Sequence, residues 1–467
     1  MTELGLHQLT FEYNGQPLFD HLDFQVEPGT FGLLTGPSGC GKSTLLKLLA
    51  GLLPQYGGAV TSGQALLNGQ PVGKIVPYQR AAKVAMLFQH PGRQFAMKTV
   101  SEQLQFALAN LQLPREEVQR RMHDTLAWMN IHHLAQRRVH TLSGGEQQRV
   151  SLACLLAMDS EVILLDEPFA NVDMMGRQQL LADLKRLQTE QAKTILLADH
   201  DLSGYQGIAN SWYQLSADQQ LSRHDPQSLP ADQPTIPVKR QPLNEGRLVA
   251  NNIEISVGSR VLLKDSQLTI PQGQLGLLSG ENGAGKSALL AALSQQHNYE
   301  GQIEFDHQAA TKLPPKKWAL TVGWVFQNST DQFIELKAGD ELKASQTHSC
   351  QPQYWTKDRI NQVVGELGLT KCLDRVSYQL SGGQQKKLQL LSMLVMGQPV
   401  MLLDEPFAGL DGASLRVVLR LIRKVATDLQ IGMLIISHQR VGVVDQMDYE
   451  IRLADQHLTL LGGENID

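Results

Sequence analysis

Gly36-Pro37-Ser38-Gly39-Cys40-Gly41-Lys42-Ser43 and Gly280-Glu281-Asn282-Gly283-Ala284-Gly285-Lys286-Ser287 are two copies of one pattern, G-x-x-x-x-G-K-S, in a single chain of 467 residues. The first copy follows a short apolar run, Phe31-Gly32-Leu33-Leu34-Thr35, and leads into Ser43-Thr44-Leu45-Leu46-Lys47-Leu48-Leu49-Ala50, a helical stretch closed by Gly51. Strand, glycine loop and helix in that order form a phosphate-binding context. The glycines let backbone N–H groups close on phosphate oxygens, which Lys42 and Lys286 are placed to neutralise. Ser43 and Ser287 carry hydroxyls suited to Mg²⁺. All residues of both loops, with Thr44 and Ala288 just beyond them, are expected to contact a nucleotide.

The two copies can be superimposed by number. Lys42 and Lys286 are 286 − 42 = 244 positions apart, whereas Glu167 and Glu405 are 405 − 167 = 238 apart. Gln89 and Gln327, Ser143 and Ser381, and His200 and His438 share that second displacement. The second copy is therefore shorter by 244 − 238 = 6 residues between its glycine loop and its glutamine. A repeat this long means two whole domains rather than a solenoid. The expected limits are 1–221 and 247–467, joined by a linker over 222–246 that is punctuated by Pro226, Pro230, Pro234, Pro237 and Pro242.

Hydrophobic residues make up 42% of the chain and charged residues 19%, ordinary values for a globular protein that buries a full core in each half. No apolar run approaches the length of a membrane span. The net charge of −5 argues against wrapping nucleic acid, and no nucleic-acid partner is expected. Met1-Thr2-Glu3-Leu4-Gly5 has the features of no secretory leader, so a cytoplasmic home is expected. Cys40, Cys154, Cys350 and Cys372 form no C-x-x-C pair, which favours reduced thiols. Alkylation of Cys40, inside a glycine loop, is expected to compete with nucleotide.

Downstream, the apolar runs Glu161-Val162-Ile163-Leu164-Leu165 and Lys193-Thr194-Ile195-Leu196-Leu197-Ala198 suit a parallel sheet covered on both faces, hence an α/β fold. The first run ends in Asp166-Glu167, and its counterpart in Asp404-Glu405. Adjacent carboxylates there suit a metal-holding aspartate and a glutamate that polarises an attacking water. Ser143-Gly144-Gly145 and Ser381-Gly382-Gly383 precede helical stretches, a place where backbone N–H groups favour an anion. Between loop and carboxylates, the helical spacing of about Val100 to Ala135 predicts an α-helical subdomain. Leu9–Tyr13 and Phe24–Val26 alternate like antiparallel strands.

This ordered set resembles the ATP-binding cassette family over nearly all of both halves. The resemblance implies two tandem P-loop domains, each with a mostly parallel core, an antiparallel β subdomain and an α-helical subdomain. It also implies ATP and Mg²⁺ as cofactors and head-to-tail pairing. One site would combine Lys42, Gln89, Asp166, Glu167 and His200 with Ser381 and Gly383; the other would combine Lys286, Gln327, Asp404, Glu405 and His438 with Ser143 and Gly145. Gln89 and Gln327 would act at metal and water, His200 and His438 at the γ-phosphate, and Asp173 and Asp411 at the dimer interface. Tyr13 matches the ring that the family stacks on adenine, whereas Val257 stands at the matching place in the second half. Weaker ATP binding is expected there.

Phe88-Gln89-His90-Pro91-Gly92-Arg93-Gln94-Phe95 and Phe326-Gln327-Asn328-Ser329-Thr330-Asp331-Gln332-Phe333 are similar to the ATPases of energy-coupling-factor importers. That likeness implies grooves near Gln94 and Gln332 receiving helices of a membrane subunit, with a substrate-capturing membrane protein beyond it. The expected place is the cytoplasmic face of the inner membrane. Ser329 and Leu336-Lys337-Ala338 depart from the importer pattern in the second half. The rival readings are a soluble twin-cassette ATPase acting on ribosomes or nucleic acid, and the fused ATPase of a sugar importer.

Overall fold

The structure, a computed structural model, describes residues 2–37, 39–88, 94–142, 144–169, 172, 174–230, 238, 241–258 and 260–461. The chain divides into two units, Met1–Gln233 and Pro234–Asp467.

The first unit opens with β1 (Leu4–Tyr13), β2 (Gln16–Val26) and β3 (Phe31–Thr35), followed by α1 (Lys42–Leu49). Next come β4 (Ala59–Leu67), β5 (Gln70–Pro71), α2 (Pro77–Ala81) and β6 (Val84–Leu87). A helical layer follows, α3 (Val100–Ala109), α4 (Arg115–Trp128) and α5 (Gly144–Met158). The unit closes with β7 (Val162–Asp166), α6 (Met174–Glu190), β8 (Thr194–Ala198), β9 (Ser211–Leu215) and β10 (Leu221–His224).

The second unit repeats the series. It runs β11 (Gly246–Val257), β12 (Arg260–Pro271), β13 (Leu275–Gly280), α7 (Lys286–Leu293), β14 (Glu300–Phe305), β15 (Gln308–Ala309), α8 (Pro315–Ala319) and β16 (Val322–Val325). Then follow α9 (Ala338–Thr347), α10 (Lys357–Glu366), α11 (Gly382–Met396), β17 (Val400–Asp404), α12 (Gly412–Leu429), β18 (Gly432–Ile436), β19 (Tyr449–Ala454) and β20 (His457–Leu461).

Each unit has an antiparallel sheet, ordered β2-β1-β4-β5 or β12-β11-β14-β15, and a six-stranded sheet. The larger sheets run β10-β9-β3-β8-β7-β6 and β16-β17-β18-β13-β19-β20, parallel except at the terminal hairpins β9–β10 and β19–β20. Alternation along the parallel strands supplies both faces. Leu33, Ile163, Leu165, Ile195 and Leu197 pack with the helical layer, while Leu34, Val162, Leu164, Leu196 and Ala198 pack with α1 and the antiparallel sheet. That is why these strands read as continuous apolar runs. Strand β3 lies between β8 and β9, and β13 between β18 and β19, so the glycine loop leaves the sheet where strand order reverses, the usual ligand crevice of such sheets.

The helical layers are built alike but capped differently. Thr99 caps α3 in a reciprocal box with Glu102, whereas Lys337 gives α9 no side-chain cap. Removing such a cap costs about 1 kcal/mol. Both helices still tether the preceding loop: Gln103 Oε1 accepts from Ala96 N and Met97 N, and Glu341 Oε2 accepts from Ile334 N and Glu335 N.

Both ends of the 222–246 stretch are anchored to the folded units. Leu221–His224 zips onto β9, Asp225 caps a 3-10 turn at Pro226–Ser228, and Leu229 is buried in the first unit. Val238 is buried in the second unit, and Gln241 N donates to Asp448 O there. Apolar residues spaced among the prolines account for the anchoring. Pro234 and Pro237 lie outside the described residues.

Candidate functional site

In both units the ends of the central parallel strands bring the expected residues together. The glycine loops share one backbone: Gly36, Gly39 and Gly41 have φ of 153°, 83° and 110°, and Gly280, Gly283 and Gly285 have 150°, 75° and 111°. A Cβ on Gly36 would lie 2.3 Å from Leu215 O, so only glycine lets the loop cross the neighbouring strand there. Lys42 folds over its loop, donating to Gly36 O at 2.7 Å and Pro37 O at 3.1 Å. Lys286 does the same toward Gly280 O and Glu281 O, both at 2.8 Å. Cys40 is buried, and its Sγ lies 2.8 Å from where a Cβ on Gly36 would stand.

The carboxylates stand opposite. Ser43 Oγ donates to Asp166 Oδ1 at 3.0 Å, and a bond from Ser287 likewise favours the charged form of Asp404. Burial is the larger influence on both aspartates; it lifts Asp404 above the ordinary carboxylate range and Asp166 to about 6. Glu167 and Glu405 follow in left-handed backbone, φ 47° and 48°, a conformation that costs non-glycine residues about 1–3 kcal/mol. Their N–H groups are held by Ala198 O and Ile436 O across the sheet. Strain of this kind at equivalent positions is characteristic of functional sites.

The histidines close the group. His200 Nδ1 is 3.8 Å from Glu167 Oε1, and His438 Nε2 is 3.4 Å from Glu405 Oε1. His438 N also donates to Glu405 Oε2 at 3.3 Å. Burial pushes Glu405 up to about 8, partly offset by that bond. Glu405 Oε1 and His200 Nδ1 are buried without a hydrogen-bond partner among the described residues. Such atoms beside a phosphate loop are where a ligand oxygen or water is accommodated.

Other expected residues sit apart from this group or serve locally. Ser381 caps α11, its Oγ accepting from Gln384 N, and Gln384 Oε1 accepts from Ser381 N in return. Asp411 caps α12 through Ser414 N at 2.7 Å. Gly144, Gly145, Gly382 and Gly383 begin their helices. Tyr13 is exposed and stands edge-on against Phe11, ring centroids 4.9 Å apart, whereas Val257 is exposed without a ring. Across the hairpin from Val257, Arg260 donates to Gly283 O at 3.3 Å. Ser38, Gln89, Ser143 and Asp173 lie outside the described residues.

Gln332 follows a 3-10 turn at Ser329–Asp331. Its amide is used internally, accepting from Phe326 N at 3.0 Å and donating to Trp324 O at 2.8 Å. Gln94 Nε2 is buried too, with no partner among the described residues.

Further polar residues escaped the motif reading. Lys386 and Gln389 on α11 are buried beside the loop at Gln327. Asp199 accepts from Tyr205 Oη at 2.6 Å and from Arg177 at 3.2 Å, next to His200. Register comparison was the available signal: Lys386 stands opposite Gln148, and Arg177, Asp199 and Tyr205 stand opposite Leu415, Ser437 and Val443. Among the described residues no helix is long and apolar enough to cross a membrane.

A family profile described as ABC transporter matches residues 19–170 and 263–408. A protein of Bacillus subtilis (strain 168), provisionally named HMP/thiamine import ATP-binding protein YkoD, is 29% identical over 98% of this chain and 91% of its own length. A provisionally named ABC transporter ATP-binding protein of Methanosarcina mazei is 26% identical over 97% of this chain and 87% of its own length. Among solved structures, an RNase-L inhibitor aligns with TM-score 0.64 and 20% identity, covering 95% of this chain and 87% of its own. A model of ribosome-bound archaeal Pelota and ABCE1 aligns with TM-score 0.71 and 19% identity, covering 97% of this chain and 78% of its own. At these identities the two solved structures speak to the fold alone.

Proposed function

Since the chain belongs to the ABC transporter family and is an ATPase with two tandem ATP-binding domains, we propose that it is the energising subunit of an importer of the energy-coupling-factor type. The observation that carries this reading is the similarity along 98% of the chain to a protein named for HMP/thiamine import. The paired segments Phe88–Phe95 and Phe326–Phe333 support it. The protein works at the cytoplasmic face of the membrane, and a separate membrane subunit docks near Gln94 and Gln332. Its cargo class is a vitamin, a vitamin precursor or a transition metal.

In each unit the glycine loop wraps the phosphates, with Lys42 or Lys286 turning from loop carbonyls to phosphate oxygens. The donors around each loop fit Mg²⁺, because Ser43 with Asp166, and Ser287 with Asp404, are hard oxygen ligands already within bonding distance of each other. Gln89 and Gln327 complete that set. Ser43 with Asp166, and Ser287 with Asp404, would hold Mg²⁺, which when bound would neutralise phosphate charge and favour the ionised form of the two aspartates. Glu167 and Glu405 hold the attacking water, and His200 and His438 orient it against the terminal phosphate. By family resemblance, Ser143, Gly145, Ser381 and Gly383 also contact ATP.

Purification from detergent-solubilised membranes tests the importer reading. A small membrane protein recovered in stoichiometric complex, stimulating phosphate release, is expected. Recovery with ribosomes and without membrane protein would overturn it.

A further inference from the structure

The second unit ties the loop at Gln327 to α11 through side chains that the first unit lacks. Lys386 is 4% exposed, and its ammonium donates to Gln327 O at 2.8 Å and to Gln389 Oε1 at 3.2 Å. Gln389 Nε2 donates to Phe326 O at 2.9 Å and to Gln332 Oε1 at 2.8 Å, while its Oε1 also accepts from Ser329 Oγ at 2.8 Å. In register, Lys386, Gln389 and Gln332 stand where the first unit has Gln148, Ser151 and Gln94. There, Ser151 Oγ and Gln94 Nε2 are buried with no hydrogen-bond partner among the described residues.

A buried ammonium is costly unless acceptors surround it. Here a main-chain carbonyl and an amide oxygen serve.

We propose that Lys386 is a positioning residue of the second ATP site, fixing the main chain that carries the Gln327 amide and so the metal geometry beside Asp404. This rests on the reading of Gln327 as a Mg²⁺ ligand. At the matching positions the first unit carries Gln148 and Ser151.

The test uses the full chain carrying Lys42→Ala, which leaves the second phosphate loop to bind ATP. ATP binding is titrated calorimetrically over a range of Mg²⁺ and, separately, in EDTA. Lys386→Met is expected to raise the half-saturating Mg²⁺ roughly tenfold, the scale seen when a residue holding a metal ligand is lost, with ATP affinity in EDTA unchanged. Lys386→Arg is expected to retain most of the Mg²⁺ affinity. Gln327→Ala should shift the Mg²⁺ requirement the same way, and the double variant should show less than the combined shift.

An unchanged Mg²⁺ requirement in Lys386→Met, alongside a shifted one in Gln327→Ala, would overturn the role of Lys386 alone. Equal loss of ATP binding with and without Mg²⁺ would reduce Lys386 to a packing residue and overturn it as well. No shift in Gln327→Ala would remove the metal assignment of Gln327 itself, and the inference with it.

Discussion

Around the histidines the two halves use opposite materials for one shape. In the first unit Arg177 bridges Asp199 and Asp201, at 3.2 and 2.8 Å, and lies over the rings of Phe169 and Tyr205. In the second, the matching positions are Leu415, Ser437, Gln439, Phe407 and Val443, and the leucine, phenylalanine and valine are buried in the core. A few residues on, the exchange reverses. Arg440 makes two 2.8 Å bonds to the buried Glu450, where the first unit packs Leu202 and Trp212. Loops, carboxylates and histidines stay in register while the layer behind them is rewritten. A buried ion pair with its bonds satisfied and a well-packed apolar cluster are close alternatives in free energy, so either can support the same site.

The largest expected effect tests whether the shared chemistry is shared in fact. Glu167→Gln and Glu405→Gln together should cut phosphate release about 10²–10⁴-fold, the range for loss of a catalytic base. Residual turnover in each single variant then reports the other site's share, and full activity in either single variant would break the equivalence of the carboxylates.

Next in size is the supporting layer. Arg177→Leu alone leaves Asp199 buried beside a leucine and should destabilise the protein by about 3–5 kcal/mol in denaturant unfolding of the full chain. Adding Asp199→Ser and Tyr205→Val, which installs the second unit's residues, should recover most of that loss. Failure to recover would mean that the two layers are not interchangeable.

A smaller effect concerns the adenine. Val257→Tyr should tighten ATP binding at the second site by about 1–3 kcal/mol, the worth of stacking a base on a ring, as read by titration in the Lys42→Ala background. An unchanged affinity would mean that the missing ring does not set the difference.

The motifs were legible because each is local: a strand, a turn and a helix start within some twenty residues carry the glycine loop, and Asp166-Glu167 simply ends a buried strand. The repeat made them unambiguous. What stayed hidden depends on pairing across the fold. Ser329 meets Gln389, and Lys386 meets the carbonyl of Gln327, only because α11 packs behind the loop. For the same reason the bond between Gln332 and Gln389 was not legible. The left-handed backbone of Glu167 and Glu405 has no signature in composition, since it is imposed by the strand ends and the bonds to Ala198 and Ile436. In the 222–246 stretch, prolines masked Leu229 and Val238, which anchor it to separate cores.

ATP titration into full-length Lys42→Ala and Lys286→Ala chains measures directly whether one chain holds two sites of like chemistry and unequal grip. The Lys286→Ala chain, which keeps Tyr13 and the first glycine loop, should bind ATP about 1–3 kcal/mol more tightly than the Lys42→Ala chain. Equal affinities, or tighter binding by the Lys42→Ala chain, would contradict it.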